Sequence, residues 1–147
     1  VRSLLAILSS KFSSVSGNFS GQDIGCSLYG LKNMSSYSSE VRQLVFILTQ
    51  CVIESDAVME RYSLASALYG LRGMSSEHAE VCALAHSLST KILSCSEPLN
   101  DLEISGALFG LRNMSSSHSE VVSLLSALTK NISSSTEPLS AQAIGNV

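Results

Sequence analysis

The sequence predicts an all-α protein, an α-solenoid of antiparallel helix pairs with a 40-residue repeat. The segment LYGLKNMSS at 28–36 returns as LYGLRGMSS at 68–76 and as LFGLRNMSS at 108–116. Each copy of the unit also contains two apolar stripes with the three- and four-residue spacing of a helix face, and no strand-like alternation. A fixed period of this length is typical of repeat proteins, in which one unit buries its apolar face against its own copies.

The same period divides the whole chain. Residues 1–19 match the second helix of a partial repeat, 20–59, 60–99 and 100–139 are three complete repeats, and 140–147 match the start of a fourth. Both ends cut a repeat, and the chain opens without Met. We therefore expect one α-solenoid segment that belongs to a longer array.

The first half of each repeat predicts a helix, called helix A. Its apolar stripe consists of Ile24, Ser27, Leu28, Leu31 and Met34, then Leu64, Ala67, Leu68, Leu71 and Met74, then Ile104, Ala107, Leu108, Leu111 and Met114. Asn100 and Glu103 have the spacing of an N-cap and N3 pair. Glycine recurs at 30, 70 and 110 although it costs about 1 kcal/mol relative to Ala in a helix, which indicates close packing of a neighbouring helix.

The second half of each repeat predicts helix B. Ser35-Ser36 and its copies are expected to end helix A and to cap helix B, whose first turn contains Glu40, Glu80 or Glu120. The stripe of helix B consists of Val41, Leu44, Val45, Leu48 and Val52, then Val81, Leu84, Ala85, Leu88 and Ile92, then Val121, Leu124, Leu125, Leu128 and Ile132. A leucine-rich repeat is the competing interpretation of LFGLRNM, but the period and the two helical stripes disfavour it.

Composition excludes several classes of protein. The apolar stretches are too short to span a bilayer and no signal-peptide pattern opens the chain, so we expect an intracellular, soluble protein without a membrane partner. Four cysteines at different repeat phases, without a CxxC, indicate reduced thiols. A net charge of −3 counts against a strongly basic, non-specific nucleic-acid binder.

No motif predicts catalysis. The chain shows no nucleophile with a nearby base, no Gly-rich phosphate loop and no clustered carboxylates, so we expect no enzyme, no cofactor and no small-molecule substrate. His78, Cys82 and His86 lie four residues apart on helix B, as the ligands of a metal stripe would. The equivalent residues in the other repeats do not repeat this pattern, and we expect no metal.

A row of residues beside the core stripe of helix A has the composition of a base-reading surface. The row consists of Gln22, Cys26, Tyr29 and Asn33, then Tyr62, Ser66, Tyr69 and Gly73, then Leu102, Gly106, Phe109 and Asn113, and then Gln142 and Asn146. It combines a recurring aromatic, for stacking on bases, with side chains that differ between repeats. Lys32, Arg72 and Arg112 recur beside it, where they would follow the phosphates of an extended strand.

The recurring aromatics and cations are also compatible with roles that need no ligand. An aromatic residue at helical spacing can pack between repeats, and Lys or Arg in the last turn of helix A complements the helix dipole. The alternative function is a protein-interaction scaffold or a structural subunit of a large assembly, which suits an acidic chain. Cations on the same surface as the variable row would favour RNA, and cations on the opposite side would favour the scaffold.

The unit resembles the octotricopeptide repeat family of organellar RNA-binding proteins, as a divergent relative. The segments LSAQAIGN at 139–146, ALFGLRNM at 107–114 and Ser119-Glu120-Val121 support the resemblance. The residues that match are Tyr29, Tyr69 and Phe109 for the family's Trp, Asn146 for its Asn, and Glu40, Glu80 and Glu120 for the Glu of its helix B motif. The period here is slightly longer, serines replace the family's proline run, and Val replaces the Trp that follows the Glu.

The resemblance implies a function in organellar RNA metabolism. It implies sequence-selective binding of single-stranded RNA in a mitochondrion or chloroplast, in transcript stabilisation, processing or translation. In a ribonucleoprotein such as the mitochondrial ribosome, ribosomal RNA and other proteins of the assembly would be the partners.

Overall fold

The structure, a computed structural model, describes residues 19–136 and 138–145, together with Ser3, Ile7, Ser10 and Lys11, which are helical. The remaining residues of 1–18, which belong to the expected partial repeat, lie outside the described residues. The part of the chain that the structure describes is helical and contains no strand. The prediction of an all-α protein is therefore confirmed for that part.

Seven helices follow one another between residues 19 and 145. They are α1 (Gly21–Tyr29), α2 (Ser39–Glu54), α3 (Arg61–Gly70), α4 (Ala79–Leu93), α5 (Asp101–Gly110), α6 (Ser119–Ser133) and α7 (Ala141–Gly145). Short 3₁₀ turns at Gly30–Asn33 and Leu71–Gly73 follow α1 and α3. We call α1, α3, α5 and α7 the first-row helices, and α2, α4 and α6 the second-row helices.

Each helix packs mainly against the helix two places along the chain. In the first row α1 contacts α3, α3 contacts α5, and α5 contacts the short α7; in the second row α2 contacts α4, and α4 contacts α6. The apolar stripes of both rows form one continuous core. Its fully buried side chains include Leu28, Leu64, Leu68, Leu84, Leu88 and Leu124.

Two of the three recurring glycines, Gly70 and Gly110, lie against the backbone of the neighbouring first-row helix. A Cβ atom at Gly70 would lie 2.0 Å from the carbonyl oxygen of Leu28, and one at Gly110 would lie 2.0 Å from that of Leu68. The close packing expected from the sequence is therefore present at Gly70 and Gly110, but not at Gly30, where no described atom lies within 4 Å of a Cβ position. In the first repeat the α-helix ends at Tyr29, and a tighter 3₁₀ turn follows it. In that turn the backbone N–H of Met34 donates to the Leu31 carbonyl at 2.8 Å. Helix A is thus shorter than its stripe suggested.

The serine pairs after helix A do not cap helix B, contrary to expectation. The N-cap residues are Ser38, His78 and His118, and none of them makes a side-chain capping hydrogen bond. Ser36 and Ser76 are buried instead. Their hydroxyls accept hydrogen bonds from the next repeat, from the N–H of residue 75 at 2.9 Å and of residue 115 at 2.8 Å. The pair lies too far before the helix to reach its first N–H groups, and so it joins adjacent repeats.

Capping boxes define where two of the first-row helices begin. The Asn100 side chain accepts a hydrogen bond from the Glu103 N–H at 2.9 Å, and the Asn100 N–H donates to the Glu103 carboxylate at 2.8 Å, as predicted. Ser20 and Asp23 form the same arrangement on α1, which was not predicted although the two residues have the same spacing. Hydrogen bonds from Ser20 lower the pKa of the Asp23 carboxyl.

Candidate nucleic-acid interface

The variable row lies on one accessible face of the first-row helices. In each helix its members are exposed or half-buried: Gln22, Cys26 and Tyr29 in α1, Tyr62, Ser66 and Tyr69 in α3, and Leu102, Gly106 and Phe109 in α5. Asn33, Gly73 and Asn113 continue the row in the turn after each helix. Of the fourth set, Asn146 and the side chain of Gln142 lie outside the described residues. The spacing of three and four residues explains the shared face.

Tyr29, Tyr69 and Phe109 form a continuous column of stacked rings, which we call the ring column. The ring centroids of Tyr29 and Tyr69 lie 5.9 Å apart with 25° between the ring planes, and those of Tyr69 and Phe109 lie 5.9 Å apart with 23°. The aromatics thus pack between repeats, which is one of the two roles compatible with the sequence. Because Tyr69 is stacked on a ring at both sides, it has no free face for a base.

One cation lies over each ring of the column. The Lys32 Nζ atom is 3.9 Å from the Tyr29 centroid, the Arg72 Cζ atom is 5.3 Å from the Tyr69 centroid, and the Arg112 Cζ atom is 4.3 Å from the Phe109 centroid. Such contacts are cation–π interactions. We call Lys32, Arg72 and Arg112 the cation edge, and it lies on the same face as the variable row.

The two arginines of the cation edge differ in their contacts. Arg72 is half-buried, and its guanidinium donates to the Lys32 carbonyl at 2.6 Å, to the Tyr69 hydroxyl at 2.8 Å, and to the side-chain oxygen of Asn33. Arg112 is exposed, and among the described residues its side chain makes no hydrogen bond or ion pair. The donors of Arg112 are therefore available to a ligand, whereas Arg72 donates to the preceding repeat and to Tyr69 and offers a ligand mainly its positive charge.

The asparagines of the row also join repeats. Asn33 accepts the hydrogen bond from Arg72, and the Asn113 side chain donates to the Arg72 carbonyl at 2.8 Å. At the equivalent Gly73, a Cβ atom would lie 2.0 Å from the carbonyl oxygen of Met34. This position makes contact between repeats in each of the three described units. Asn33 and Asn113, which the sequence assigned to base reading, therefore also have a structural role between repeats.

Acidic residues cluster at the opposite end of the first-row helices. Asp23 lies in the first turn of α1, and Asp101 and Glu103 lie in the first turn of α5. A hydrogen bond with Ser140 is the main cause of the lowered pKa of Asp101. Arg61, at the start of α3, pairs with Glu103 at 3.2 Å. The face is thus positive at the carboxyl ends of the helices and mainly negative at their amino ends, the distribution that the helix dipole favours.

The three residues of the candidate metal stripe, His78, Cys82 and His86, differ in their exposure to solvent. The Cys82 thiol is buried and donates to the Ser76 carbonyl at 3.1 Å, and its burial raises the pKa of the thiol. His86 is exposed, whereas His78 is half-buried with its ring edge to face against Tyr37, 5.4 Å between centroids. Within the described ranges, no group of three or more His, Cys, Asp or Glu side chains could hold a metal ion.

The geometry defines an all-helical protein whose first-row helices present stacked rings and cations on one accessible face. No protein-family model, curated protein or solved structure matches the chain. Among the described helices, none combines the length and apolar character that crossing a membrane requires.

Proposed function

We propose that this chain forms an RNA-binding α-solenoid and that it binds single-stranded RNA along the accessible face of its first-row helices. The main support is the cation edge, which lies on the ring column and on the same face as the variable row. Each repeat contributes one cation to a line that a phosphate backbone can follow. The rings hold these cations in a row.

The order of packing supports the solenoid architecture of antiparallel helix pairs with a 40-residue repeat. First-row helices contact first-row helices, and second-row helices contact second-row helices. Rings at equivalent positions of successive repeats stack on each other. Contacts that connect each unit to its sequence neighbours are the pattern of helical-repeat proteins.

We expect binding on this face to involve only a small number of phosphate contacts. For single strands, log K falls with log salt by about 0.7 for each phosphate neutralised, so three cations correspond to a slope of about −2. The net charge of −3 limits non-specific attraction elsewhere on the chain. The resemblance to octotricopeptide repeats is consistent with this mode of binding and suggests a mitochondrial or chloroplast ribonucleoprotein as its setting.

Fluorescence anisotropy tests the proposal with labelled single-stranded RNA of randomised sequence and about 12 nucleotides. We expect binding whose salt slope is about −2, and an Arg112→Ala variant whose slope is smaller by about 0.7, because one phosphate contact is lost. Lys130→Ala is the matched control, since Lys130 is an exposed cation of the second-row helix α6. Absence of binding at about 50 mM salt would refute the proposal.

A protein-interaction scaffold is the second candidate, favoured by exposed apolar side chains on the same face. Tyr62 and Leu102 occupy equivalent positions in adjacent repeats and are 46% and 57% exposed. Extended faces of solenoids commonly bind protein segments. In a large assembly such as a mitochondrial ribosome, this face would then contact another protein subunit. Tyr62→Leu separates the candidates, because an apolar protein contact tolerates Leu whereas base stacking requires the ring.

A further inference from the structure

Tyr62 is an aromatic residue of the accessible face that does not belong to the ring column. Its side chain is 46% exposed, and within the described part of the chain its ring contacts neither another ring nor a cation. We propose that Tyr62 stacks against one base of the bound RNA. This inference rests on the proposed RNA-binding function and assigns the stacking contact within it.

Tyr69, the middle residue of the ring column, cannot supply the stacking contact with a base. Tyr69 lies between the rings of Tyr29 and Phe109, and Arg72 lies over it and donates to its hydroxyl. A base that entered the column would have to separate rings whose centroids are 5.9 Å apart. Stacking against Tyr62 breaks no ring contact between repeats, because its ring is already exposed to solvent.

The distance along α3 suits one nucleotide. Tyr62 and Tyr69 lie seven residues apart on one side of the helix, and the helical rise separates their Cα atoms by about 10 Å. One nucleotide covers such a span between its phosphate and the outer edge of its base. Ser66, which has a small side chain and is half-buried, lies between the two tyrosines on this side of the helix.

The charges of the face orient the strand. The cation edge attracts phosphates to the carboxyl ends of the first-row helices, whereas Asp23 and Asp101 repel them from the amino ends. The backbone then follows the cation edge and the bases extend toward Tyr62. Because the base must be unstacked from its neighbours to reach the ring, the ligand is single-stranded rather than duplex RNA.

Two variants at one position separate stacking from other contacts. Tyr62→Phe keeps the ring, and we expect its Kd for the randomised single-stranded RNA to stay within about twofold of the wild-type value. Tyr62→Leu keeps an apolar side chain, the one found at the equivalent position 102, but removes the ring. We expect a Kd about 5- to 150-fold higher, the range for one stacked base, with an unchanged salt slope.

Tyrosine fluorescence gives a second readout, because the chain contains four tyrosines and no tryptophan. A base stacked on Tyr62 quenches its emission, so RNA should quench the wild-type protein more strongly than Tyr62→Phe at equal saturation. Circular dichroism spectra that match the wild type exclude misfolding as the cause of any change in binding.

The outcomes distinguish this inference from the proposed function. If the wild type binds RNA with the expected salt dependence and Tyr62→Leu binds equally well, the stacking assignment is wrong and the RNA-binding function stands. If Tyr62→Phe loses as much affinity as Tyr62→Leu, the hydroxyl group rather than the ring contacts the RNA, and the assignment is again wrong. If the wild type does not bind at about 50 mM salt, both proposals are wrong.

Discussion

Arg72 and Arg112 occupy equivalent positions but contact different groups. Arg72 meets the side-chain oxygen of Asn33 and the carbonyl of Lys32 in the preceding repeat. For Arg112 the equivalent of Asn33 is Gly73, which has no side chain to accept a hydrogen bond, and the Arg72 carbonyl already accepts one from Asn113. The residue in the preceding repeat, Asn33 or Gly73, and the hydrogen bond from Asn113 together account for the different contacts of the two arginines.

Replacing Arg72 with Ala should destabilise the fold, because three acceptors lose their donor. We expect a loss of about 1–3 kcal/mol in the free energy of unfolding, measured by urea denaturation with circular dichroism. Arg72→Lys should recover little of this loss, because an ammonium group cannot reproduce the fork of guanidinium donors.

Arg112→Ala is the matched control for that substitution. The Arg112 side chain is exposed and makes no hydrogen bond or ion pair with the described residues. Its cation–π contact with Phe109 is lost in the variant, so the free energy of unfolding should fall by no more than about 1 kcal/mol. Equal destabilisation by the two alanine variants would show that the contacts of Arg72 do not stabilise the repeat junction.

At the scale of the helices, first-row neighbours meet through backbone atoms as well as through side chains. The Leu28 carbonyl lies against Gly70 and the Leu68 carbonyl lies against Gly110, with no room for a Cβ atom. This approach brings residues 29, 69 and 109 close enough for their rings to stack. The glycines therefore determine the geometry of the ring column as well as the packing of the helices.

Gly70→Ala should separate α1 from α3, because a rigid carbonyl occupies the position of the new methyl group. We expect a loss of about 1–3 kcal/mol in the free energy of unfolding from overpacking, measured by urea denaturation. Weaker ring stacking should also appear in the near-ultraviolet circular dichroism of the tyrosines.

Gly30→Ala tests the same substitution without the clash. No described atom lies within 4 Å of a Cβ at this position, and its backbone is already helical. The substitution should be neutral or stabilise the fold by up to about 1 kcal/mol, because Ala restricts the unfolded chain. A large destabilisation by Gly30→Ala would mean that loss of glycine itself, not the clash, explains the result at position 70.

At the scale of the whole molecule, packing is most complete in the middle repeat. Helix α3 lies between α1 and α5, and α4 lies between α2 and α6. The core side chains of this repeat are almost wholly buried, including Leu64, Leu68, Leu84 and Leu88. Within the described part of the chain, α7 is short and its Ile144 is 63% exposed.

Hydrogen exchange measured by mass spectrometry should follow this gradient. Amides of α3 and α4 should exchange most slowly, and those of α7 should exchange fastest, because local opening costs least where few neighbours are lost. Equal protection of all the helices would indicate that the chain opens as a single cooperative unit, and the additive view of repeat stability would then fail for it.

Much of the fold could be predicted because helix formation follows local periodicity. Val41, Leu44 and Leu48 are spaced for one face of a helix, and all three are buried in α2. The capping box of Asn100 was predictable from a three-residue spacing. The role of Ser36 could not be predicted, because its partner is the N–H of Ser75 in the next repeat, 39 residues away. In the sequence alone, the same serine also fits a local helix-capping motif.

Only part of the candidate site could be predicted, for the same reason. The recurrence of Tyr29, Tyr69 and Phe109 at one phase, with a cation beside each, was visible in the sequence, since both features follow from a linear repeat. The stacking of the rings on each other, the contacts of Arg72 with the preceding repeat and the exposure of Tyr62 became visible only in the folded chain. Those properties depend on the spacing between helices, which the backbone contacts at Gly70 and Gly110 determine through atoms distant in sequence.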